Sequence, residues 1–495
     1  MSRKVFVIGL DCAEPSLIFE KWRDDLPNLQ RFSNLGVYGD LESAIPPITV
    51  PAWMCMMTGK DPGTLGIYGF RNRSDNSYNR LHFANSARVQ EPTLWDILAQ
   101  SGKKTIALGV PLTYPPRPIN GLLVGDFLTP DTNSDYTYPS NLKHEIREQF
   151  GEYHFDTKDF RTEEKDRLLA DIYTMTHQRF DVARYLAKNK EWDFFVMVEM
   201  GVDRIHHAFW KYFDTAHPKY EAGNRFENAI HDYYVAVDAE VGKLIETLDE
   251  DTTVLIVSDH GAKRMDGGIC FNQWLIEEGY LVLKEATACE TKFDVNLVDW
   301  EKTTAWGDGG YYGRLFLNIE GREPHGILPA ADVECVKAEL IAKLEALGDE
   351  SGASIGTKVY RPEEVYAHVR NVAPDLIVYF GDLHWRSVGS IGHPSIWTRE
   401  NDTGPDDANH AQFGIFLMAE ARDFQRGLYS KPGGGERKTG LSLYDIAPTV
   451  LRAFGIEPPQ GVGRNSIGSA TDAEDVYSEE EEAELARRLE DLGYL

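Results

Sequence analysis

The chain has 495 residues, of which 42% are hydrophobic and 26% are charged, and its formal net charge is −28. This composition is typical of a globular protein and excludes an intrinsically disordered chain. The negative charge argues against binding to nucleic-acid duplexes, because such binding needs a basic face that neutralises phosphates. If the substrate is an anion, bound cations are the economical way to offset this charge locally.

The cysteines and the apolar runs bear on where in the cell the protein is located. The five cysteines are scattered and form no CxxC pair, so the sequence predicts neither a zinc ribbon nor a disulfide framework. The first apolar run, in MSRKVFVIGLD, is too short for the core of a signal peptide. No stretch approaches the roughly 18 apolar residues that a membrane span needs. We therefore predict a cytoplasmic protein without membrane contact, and the sequence leaves its oligomeric state open.

Buried strands and amphipathic helices alternate along the chain. Apolar runs predict strands at Val5–Leu10, Lys104–Val110, Trp192–Met200, Thr252–Ser258 and Gln412–Met418. Helical periodicity and capping signals predict helices at Pro27–Leu35, Thr93–Gln100, Glu163–Lys188, Tyr220–Leu248 and Ser442–Phe454. This alternation predicts the α/β class, with a doubly wound, mostly parallel sheet flanked by helices.

Two long stretches depart from this alternation. Residues 111–184 begin with prolines, polar residues and aromatics without a clear period, and residues 270–400 form a larger excursion. Such stretches are typical of insertions outside a core sheet. We predict one domain over residues 1–470 with a core of about 1–110, 185–269 and 401–470, cap insertions at about 111–184 and 270–400, and an acidic helical tail over 471–495.

Acidic residues and histidines lie next to the predicted strands. The candidates are Asp11, Asp203, His207, Asp259, His260 and His410. Because the carboxyl ends of strands line the ligand crevice of an open α/β sheet, these side chains can converge. Three Asp and three His form a nitrogen and oxygen ligand set that suits zinc, and also manganese or iron. Six ligands are too many for one tetrahedral ion with an open position, so they fit two ions.

Each of these residues also has a simpler interpretation. An Asp at the end of a strand commonly forms a turn or caps a helix. Asp203 and His207 are four residues apart, which is also the spacing of a salt bridge on a helix. Thr49 stands at a polar-to-apolar junction, in PPITVPAWMCMMTGKDPGTLGIYGF, where a helix cap is common. The metal interpretation therefore depends on the combination of residues.

The order of these motifs resembles the alkaline phosphatase superfamily, and within it the type I phosphodiesterase/nucleotide pyrophosphatase family. The resemblance rests on Asp11, Thr49 in TVPAW, Asp203-x-x-x-His207, SDHG at 258–261 and His410 before GIF. It extends through YGRLFLNIEGREPHGIL, APDLIV and DIAPTVLRAFGIEPP, and so spans nearly the whole chain.

The resemblance implies a fold like that of alkaline phosphatase and two zinc ions, with manganese as a possible substitute. One ion is expected at Asp203, His207 and His410, and the other at Asp11, Asp259, His260 and the Thr49 oxygen. The family mechanism implies that Thr49 attacks phosphorus and forms a phosphothreonine, which water then hydrolyses. Two successive in-line displacements predict retention of configuration at phosphorus.

The chain departs from the family pattern near the substrate. Phe70 stands where the pyrophosphatase branch has an Asn that binds a phosphoryl oxygen, and we expect Arg71 or Asn72 to take that role. Ala52 and Trp53 stand where that branch has Asn and His. The Cys-x-Pro-x-Arg signature of sulfatases is absent, and the serine nucleophile typical of the related phosphoglycerate mutases is replaced by Thr49.

The leading hypothesis is a two-metal phosphoric-ester hydrolase, namely a phosphodiesterase or nucleotide pyrophosphatase that acts on a small-molecule phosphate ester or nucleotide. A phosphomonoesterase or a phosphonate hydrolase with the same centre is the alternative within enzymes. The alternative outside enzymes is a metal-bound scaffold or sensor domain. The leaving group and the physiological metal stay open at this point.

Overall fold

A nine-stranded mixed sheet lies at the centre of the larger hydrophobic cluster of this computed structural model. The structure describes residues 3–287, 289–459, 476–492 and 494.

The strands of the structure in chain order are β1 (Lys4–Leu10), β2 (Val37–Glu42), β3 (Arg71–Arg73), β4 (Leu81–Phe83), β5 (Thr105–Leu108), β6 (Gly121–Val124), β7 (Thr137–Tyr138), β8 (Phe194–Glu199), β9 (Thr252–Val257), β10 (Gly261–Arg264), β11 (Gly267–Cys270), β12 (Ala305–Asp308), β13 (Gly313–Leu317), β14 (Lys358–Tyr360), β15 (Leu376–Tyr379), β16 (Trp385–Val388), β17 (Trp397–Thr398), β18 (Ala408–Ala411), β19 (Phe413–Glu420) and β20 (Glu436–Ser442). Its α-helices are α1 (Pro27–Leu35), α2 (Thr49–Thr58), α3 (Pro62–Leu65), α4 (Leu94–Gln100), α5 (Leu142–Phe150), α6 (Lys165–Asn189), α7 (Gly201–Phe213), α8 (Ala229–Glu246), α9 (Phe271–Glu277), α10 (Val333–Glu345), α11 (Pro362–Val365), α12 (Ala421–Gln425), α13 (Ile446–Ala453) and α14 (Glu479–Asp491).

The strand order of the central sheet is β20-β2-β19-β9-β1-β8-β5-β6-β7. β1 pairs in parallel with β8 on one side and with β9 on the other. β5 and β6 continue the parallel arrangement, whereas β19 and β7 run antiparallel to their neighbours. The sheet is therefore mostly parallel and helices flank it, which confirms the predicted α/β class.

The three central strands are apolar on both faces because helices cover both sides of a parallel sheet. Every residue of β8 and β9 is buried, as is every residue of β1 after Lys4. Gly9 in β1 leaves room for the Trp53 indole, because a Cβ atom added at residue 9 would lie 2.4 Å from that ring. The carboxyl ends of β1, β8 and β9 consequently lie side by side at one edge of the sheet.

The buried members of a second hydrophobic cluster all lie between Ile269 and Ile396. It contains an antiparallel sheet of order β12-β13-β15-β14 and a smaller sheet of order β16-β11-β17. This cluster overlaps the predicted insertion at 270–400. The domain boundaries and the insertion at 111–184 stay predictions, and the predicted boundary at 470/471 lies outside the described residues.

The last helix packs onto the larger cluster. α14 buries Leu485 and Leu489, and its first residues are acidic. The Arg488 guanidinium donates hydrogen bonds to the backbone carbonyls of Phe127 at 2.6 Å and of Thr129. The acidic helix predicted near the end of the sequence is therefore docked against the body of the protein.

Most predicted elements begin and end within a few residues of the observed ones, and α1 matches its prediction fully. The exception is α8, which begins at Ala229, whereas the predicted helix begins at Tyr220. The Asn224 side chain donates to the Tyr212 carbonyl and accepts from the Phe226 N–H. Such local bonds give the backbone an alternative to a helix and delay its start.

The longest helix, α6, spans 25 residues and carries charged side chains along its length. Among the described residues, no helix has the length and apolar character that a membrane span requires. The cytoplasmic location stays a prediction.

Candidate metal centre

The candidate ligands lie at the ends of the three central strands. Asp11 directly follows β1, and Asp259 and His260 follow β9. Asp203 and His207 lie on α7, which begins two residues after β8 ends. Because β1 lies between β8 and β9, the side chains that follow these strands meet at one edge of the sheet.

His410 reaches the same place by another route. It lies on β18, which pairs antiparallel with β10, the strand directly after His260. The His410 and His260 rings stack with centroids 3.8 Å apart, and the Nε2 atom of His410 lies 3.7 Å from Asp203 Oδ1. The structure therefore brings all six predicted ligands together, across 399 positions of sequence between Asp11 and His410.

Thr49 is the first residue of α2, a ten-residue helix that is buried throughout. The Thr49 hydroxyl lies 3.2 Å from the Nε2 atom of His260. Gly59 ends the helix in a left-handed conformation, with φ of 68°, which glycine adopts without steric cost. The amino terminus of a helix carries a partial positive charge, so Thr49 lies where negative charge is favoured.

Each of the three carboxylates has one oxygen held by the protein. Asp11 Oδ2 accepts a hydrogen bond from the Trp53 indole at 2.6 Å, and Asp259 Oδ1 accepts one from the Cys12 amide at 3.3 Å. Asp203 Oδ2 accepts bonds from the Arg204 guanidinium and, at 3.2 Å, from the Tyr494 hydroxyl. Among the described residues, the other oxygen of each carboxylate has no hydrogen-bond partner, although all three residues are fully buried.

The protein likewise holds one ring nitrogen of each candidate histidine. Nδ1 lies 2.8 Å from Asp406 Oδ1 in His207, 3.0 Å from the Gly261 carbonyl in His260, and 2.7 Å from the Pro47 carbonyl in His410. Because carboxylates and carbonyls only accept hydrogen bonds, Nδ1 carries the proton in each ring. Nε2 is then the nitrogen that faces the other candidate ligands, and among the described residues it has no hydrogen-bond partner in His207 and His410, whereas in His260 it lies next to the Thr49 hydroxyl. A hydrogen bond from the other ring nitrogen to a carboxylate or carbonyl is typical of histidines that bind metals.

An ionic network holds His207 in place. Asp406 contacts His207 and also accepts from the Arg161 guanidinium at 2.7 Å and the Arg386 guanidinium at 3.2 Å. The Tyr311 ring stacks on the His410 ring with centroids 4.4 Å apart, and its hydroxyl lies 3.2 Å from Asp406. The imidazoles are therefore fixed in orientation before any ligand binds.

Burial and mutual repulsion shift the pKa values of the carboxylates. Burial, together with the neighbouring Asp203, raises the pKa of Asp11. Burial and the charge on Asp11 likewise raise the pKa of Asp259. Burial acts in the same direction on Asp203, but the charges of His207 and Arg204 outweigh it and lower the pKa of this carboxyl. Three carboxyl groups so close together in a buried site call for positive charge between them.

The arrangement fits divalent cations. Donor atoms of Asp11, Asp259 and His260 lie within 4.8 Å of one another, as do those of Asp203, His260 and His410. A third group with the same limit consists of Cys12, Asp203 and His207. Carboxylate oxygens and imidazole nitrogens are ligands that zinc and other transition metals accept, and the unpartnered buried atoms are those that a cation would satisfy.

The apparent affinity for Zn²⁺ is expected to rise with pH. Burial lowers the pKa of His207, but Asp406 and Asp203 outweigh it and raise this pKa to about 9. His207 is therefore protonated at neutral pH without metal, and Zn²⁺ must displace the proton. From this group alone we expect about a tenfold gain in affinity per unit between about pH 6 and 8. Competition with a chromophoric chelator at each pH measures it.

Asp406→Asn serves as the control for this pH dependence, because it removes the charge that raises the pKa of His207. The dependence is expected to become shallower in this variant, and an equal slope in both proteins would contradict the assignment. The same pKa shift stabilises the metal-free protein below the unfolded-state value of about 6.5, and this stabilisation is lost as the pH rises through about 9.

The two predicted substrate contacts lie elsewhere. Asn72 lies in β3 and binds the turn before this strand with its amide, since Oδ1 accepts from the Tyr68 N–H at 2.8 Å and Nδ2 donates to the Gly69 carbonyl at 2.9 Å. Arg71 lines a cavity of about 720 Å³, which the side chains of Arg161 and Arg386 also border. The role of Arg71 and Asn72 in substrate binding stays a prediction.

Several residues of the site are not assigned to it from the sequence. They are Asp406, Arg204, Tyr311, Tyr494 and the indole of Trp53, which contact the candidate ligands directly. The Tyr494 ring, which follows α14, stacks on the Phe70 ring, which precedes β3, with centroids 3.8 Å apart, and the two rings cover the Asp203 side of the site. Only Asp406 has a usable signal, because it stands four residues before His410 in PDDANH.

Comparisons with known proteins concern the family and the fold of the chain. Residues 5–407 match the model of the family described as type I phosphodiesterase / nucleotide pyrophosphatase. Phosphonoacetate hydrolase from Sinorhizobium meliloti 1021 is similar in structure, with a TM-score of 0.58 and 14% identity over 92% of this chain and 96% of that chain. Human ectonucleotide pyrophosphatase/phosphodiesterase 5 is similar with a TM-score of 0.53 and 13% identity over 92% and 96% of the two chains. The murine form of that protein, solved as an inactive variant with AMP, has a TM-score of 0.52 and 11% identity over 92% and 95%.

The likeness to these solved structures concerns the fold, since their sequences are distant from this one. A search of curated proteins found no match to the sequence.

Proposed function

Because the chain belongs to the type I phosphodiesterase/nucleotide pyrophosphatase family, we propose that it is a two-zinc phosphodiesterase or nucleotide pyrophosphatase that acts through a phosphothreonine on Thr49. Members of this family are metal-dependent hydrolases of phosphoric-ester and anhydride bonds. The observation that carries the proposal is the cluster of fully buried ligands in which one oxygen of each carboxylate and Nε2 of His207 and His410 have no partner among the described residues, with Nε2 of His260 next to the Thr49 hydroxyl.

In this proposal the ligands divide into two sets. Asp203, His207 and His410 hold one zinc ion. Asp11, Asp259, His260 and the Thr49 oxygen hold the other. His260 lies within 4.8 Å of donor atoms from both sets, which supports a pair of ions close together. When bound, the ions lower the pKa of coordinated hydroxyls and stabilise charge on the attacking and leaving oxygens.

The protein's own contribution is orientation. Trp53 fixes the Asp11 carboxylate, and Arg204 fixes that of Asp203, so each presents one free oxygen. Thr49 Oγ1 lies at the positive end of α2, which favours the charge that develops when this oxygen attacks phosphorus. The seven site residues are buried, at most 1% exposed, and water exclusion strengthens these interactions.

The cavity lined by Arg71 is the proposed site of the leaving group. At about 720 Å³ it falls within the usual range for small-ligand pockets. Arg161 and Arg386 border it and also contact Asp406, so the cavity lies one layer of side chains from His207. A nucleotide or another small phosphate ester fits this setting, and the AMP bound to the murine neighbour supports the same class.

The test is a comparison of a phosphate diester and a monoester that share one leaving group, extended to two further substrate classes. Zinc-loaded protein is given a nitrophenyl phosphate diester and the corresponding monoester, together with a dinucleotide and phosphonoacetate. We expect the highest kcat/KM for the diester or the dinucleotide. Each substrate needs the Thr49→Ala variant as a blank, so that contaminating phosphatases are subtracted.

The alternatives make distinct forecasts in the same assay. A preference for the monoester would replace the proposal with a phosphomonoesterase, and selective cleavage of phosphonoacetate would replace it with a phosphonate hydrolase. Zinc bound in full with no turnover of any substrate would favour the scaffold or sensor interpretation.

A further inference from the structure

Cys12 is the one cysteine that lies inside the metal centre. It directly follows Asp11 and is fully buried. Its backbone amide donates to Asp259, and its thiol lies 3.3 Å from the Gly261 carbonyl, so it contacts the segment that carries the ligands after β9. Of the remaining cysteines, Cys55 and Cys270 are buried elsewhere, and Cys289 and Cys335 are exposed.

The thiol is also close to two of the candidate ligands, Asp203 and His207. Sγ of Cys12 and donor atoms of Asp203 and His207 lie within 4.8 Å of one another. His207 Nε2 and Asp203 Oδ1 are 3.2 Å apart, and within the described part of the chain neither has a hydrogen-bond partner. One sulfur, one nitrogen and one oxygen at such distances form a ligand set that zinc accepts.

The backbone at Cys12 indicates that its side chain matters. Its φ angle is 63°, in the left-handed region that favours glycine and strains other residues. A glycine would turn the amide toward Asp259 equally well and without that strain. Strained residues of this kind concentrate at functional sites, where the surrounding structure holds them in place.

We propose that the Cys12 thiolate is a further ligand of the ion that Asp203 and His207 hold. The inference rests on the two-metal centre of the proposed function and adds to it a ligand that is absent from the nitrogen and oxygen set. On binding, the S–H bond breaks, sulfur donates its electron pair to the ion, and the proton leaves to solvent.

This ligand bears on which metal the centre prefers. Thiolate is a soft ligand that favours zinc, whereas manganese and magnesium prefer oxygen. A thiolate at this position therefore makes the ion site selective for zinc. The proposal distinguishes this chain from a centre built only of carboxylates and imidazoles.

X-ray absorption at the zinc edge tests the proposal directly. The samples are zinc-loaded wild-type protein, Cys12→Ser, and Cys55→Ser as a matched control with another buried cysteine removed. Zn–S and Zn–N/O distances differ, at about 2.3 Å and about 2.0–2.2 Å, so sulfur is visible in the spectrum. We expect a sulfur shell averaging one atom per two zinc ions in wild type and Cys55→Ser, and none in Cys12→Ser.

The wild-type spectrum alone can overturn the proposal, even if a variant fails to fold. Bound zinc with only nitrogen and oxygen neighbours overturns the role of Cys12 and leaves the two-metal centre standing. A protein that binds no zinc overturns both proposals. A sulfur shell that persists in Cys12→Ser would also contradict the assignment.

Metal competition provides a second measurement that does not depend on activity. We expect Cys12→Ser to lose about tenfold or more in zinc affinity, the scale on which metal sites respond to loss of a supporting group. Manganese affinity is expected to change little, because manganese gains little from sulfur. Equal losses for both metals would indicate a structural role for Cys12 and overturn the proposal.

Discussion

Thr49→Ala is expected to lower turnover by about 10³-fold or more while two zinc ions stay bound, because losing a covalent nucleophile costs far more than losing a contact. The Thr49 hydroxyl lies next to His260 at the start of α2, and without it Asp11, Asp259 and His260 remain as three ligands of the second ion. The measurements are kcat/KM for the best substrate and zinc per chain by elemental analysis.

Two variants control for the effect of Thr49→Ala. Thr49→Ser keeps a hydroxyl at the same place and is expected to retain measurable turnover. Thr58→Ala removes another buried threonine hydroxyl from the same helix, one that donates to the Met54 carbonyl at 2.7 Å, and is expected to leave kcat unchanged.

Trapping the intermediate separates nucleophilic attack from a purely binding role. Substrate labelled at the transferred phosphoryl group, quenched in acid, is expected to leave label on the peptide that contains Thr49. Turnover by Thr49→Ala close to the wild-type rate would show that water attacks the substrate directly, and the phosphothreonine mechanism would then be wrong.

The ligands can be assigned to one place from the sequence because their position follows from a topological rule. Asp11, Asp203 and Asp259 each come directly or shortly after a buried strand, and the carboxyl ends of parallel strands share an edge. The strands themselves are recognisable as apolar runs because both faces of the sheet are covered. Local pattern and topology therefore suffice for the sheet and for these three residues.

The partners of the ligands depend on contacts that no local pattern encodes. Asp406 meets His207 across 199 positions, and Tyr494 meets Asp203 across 291. These contacts arise only once the chain has folded, since Asp406 lies in a loop before β18 and Tyr494 follows α14. In the sequence, Phe70 is notable only as a departure from the family pattern. In the structure its ring stacks on that of Tyr494, next to Asp203.

The expected substrate contacts illustrate the same difference. Asn72 is adjacent in sequence to Arg71. The Asn72 amide nevertheless hydrogen-bonds to the backbone of Tyr68 and Gly69, whereas Arg71 borders the cavity. Distance in sequence from Thr49 cannot distinguish Arg71 from Asn72, because the two are neighbours in β3. The folded strand buries the Asn72 side chain and leaves that of Arg71 half-buried. The hydrogen bonds of the Asn72 amide to the turn at residues 68–69 therefore make Asn72 a structural residue and leave Arg71 as the candidate for substrate binding.

His207→Ala and His206→Ala form a matched pair on α7, and we expect only the first to release zinc. Both histidines are fully buried, but His206 Nε2 lies 3.1 Å from the Tyr234 hydroxyl, whereas His207 Nε2 lies 3.2 Å from Asp203 Oδ1 within the candidate centre. Burial lowers the pKa of His206 to about 3, so this ring is neutral and its removal changes no charge.

Elemental analysis is expected to give about one zinc ion per chain in His207→Ala and about two in His206→Ala. Turnover should fall by about 10²-fold or more only in His207→Ala, since one of the two ions that stabilise the reacting oxygens is then missing. Both variants leave a cavity and lose stability, so thermal unfolding with and without zinc separates packing from ligation. Because a bound ion stabilises the folded state, His206→Ala should keep the full zinc-dependent rise in Tm and His207→Ala only part of it. Equal zinc content in the two variants would remove His207 from the centre, and Asp406 would then lose its role of orienting a ligand.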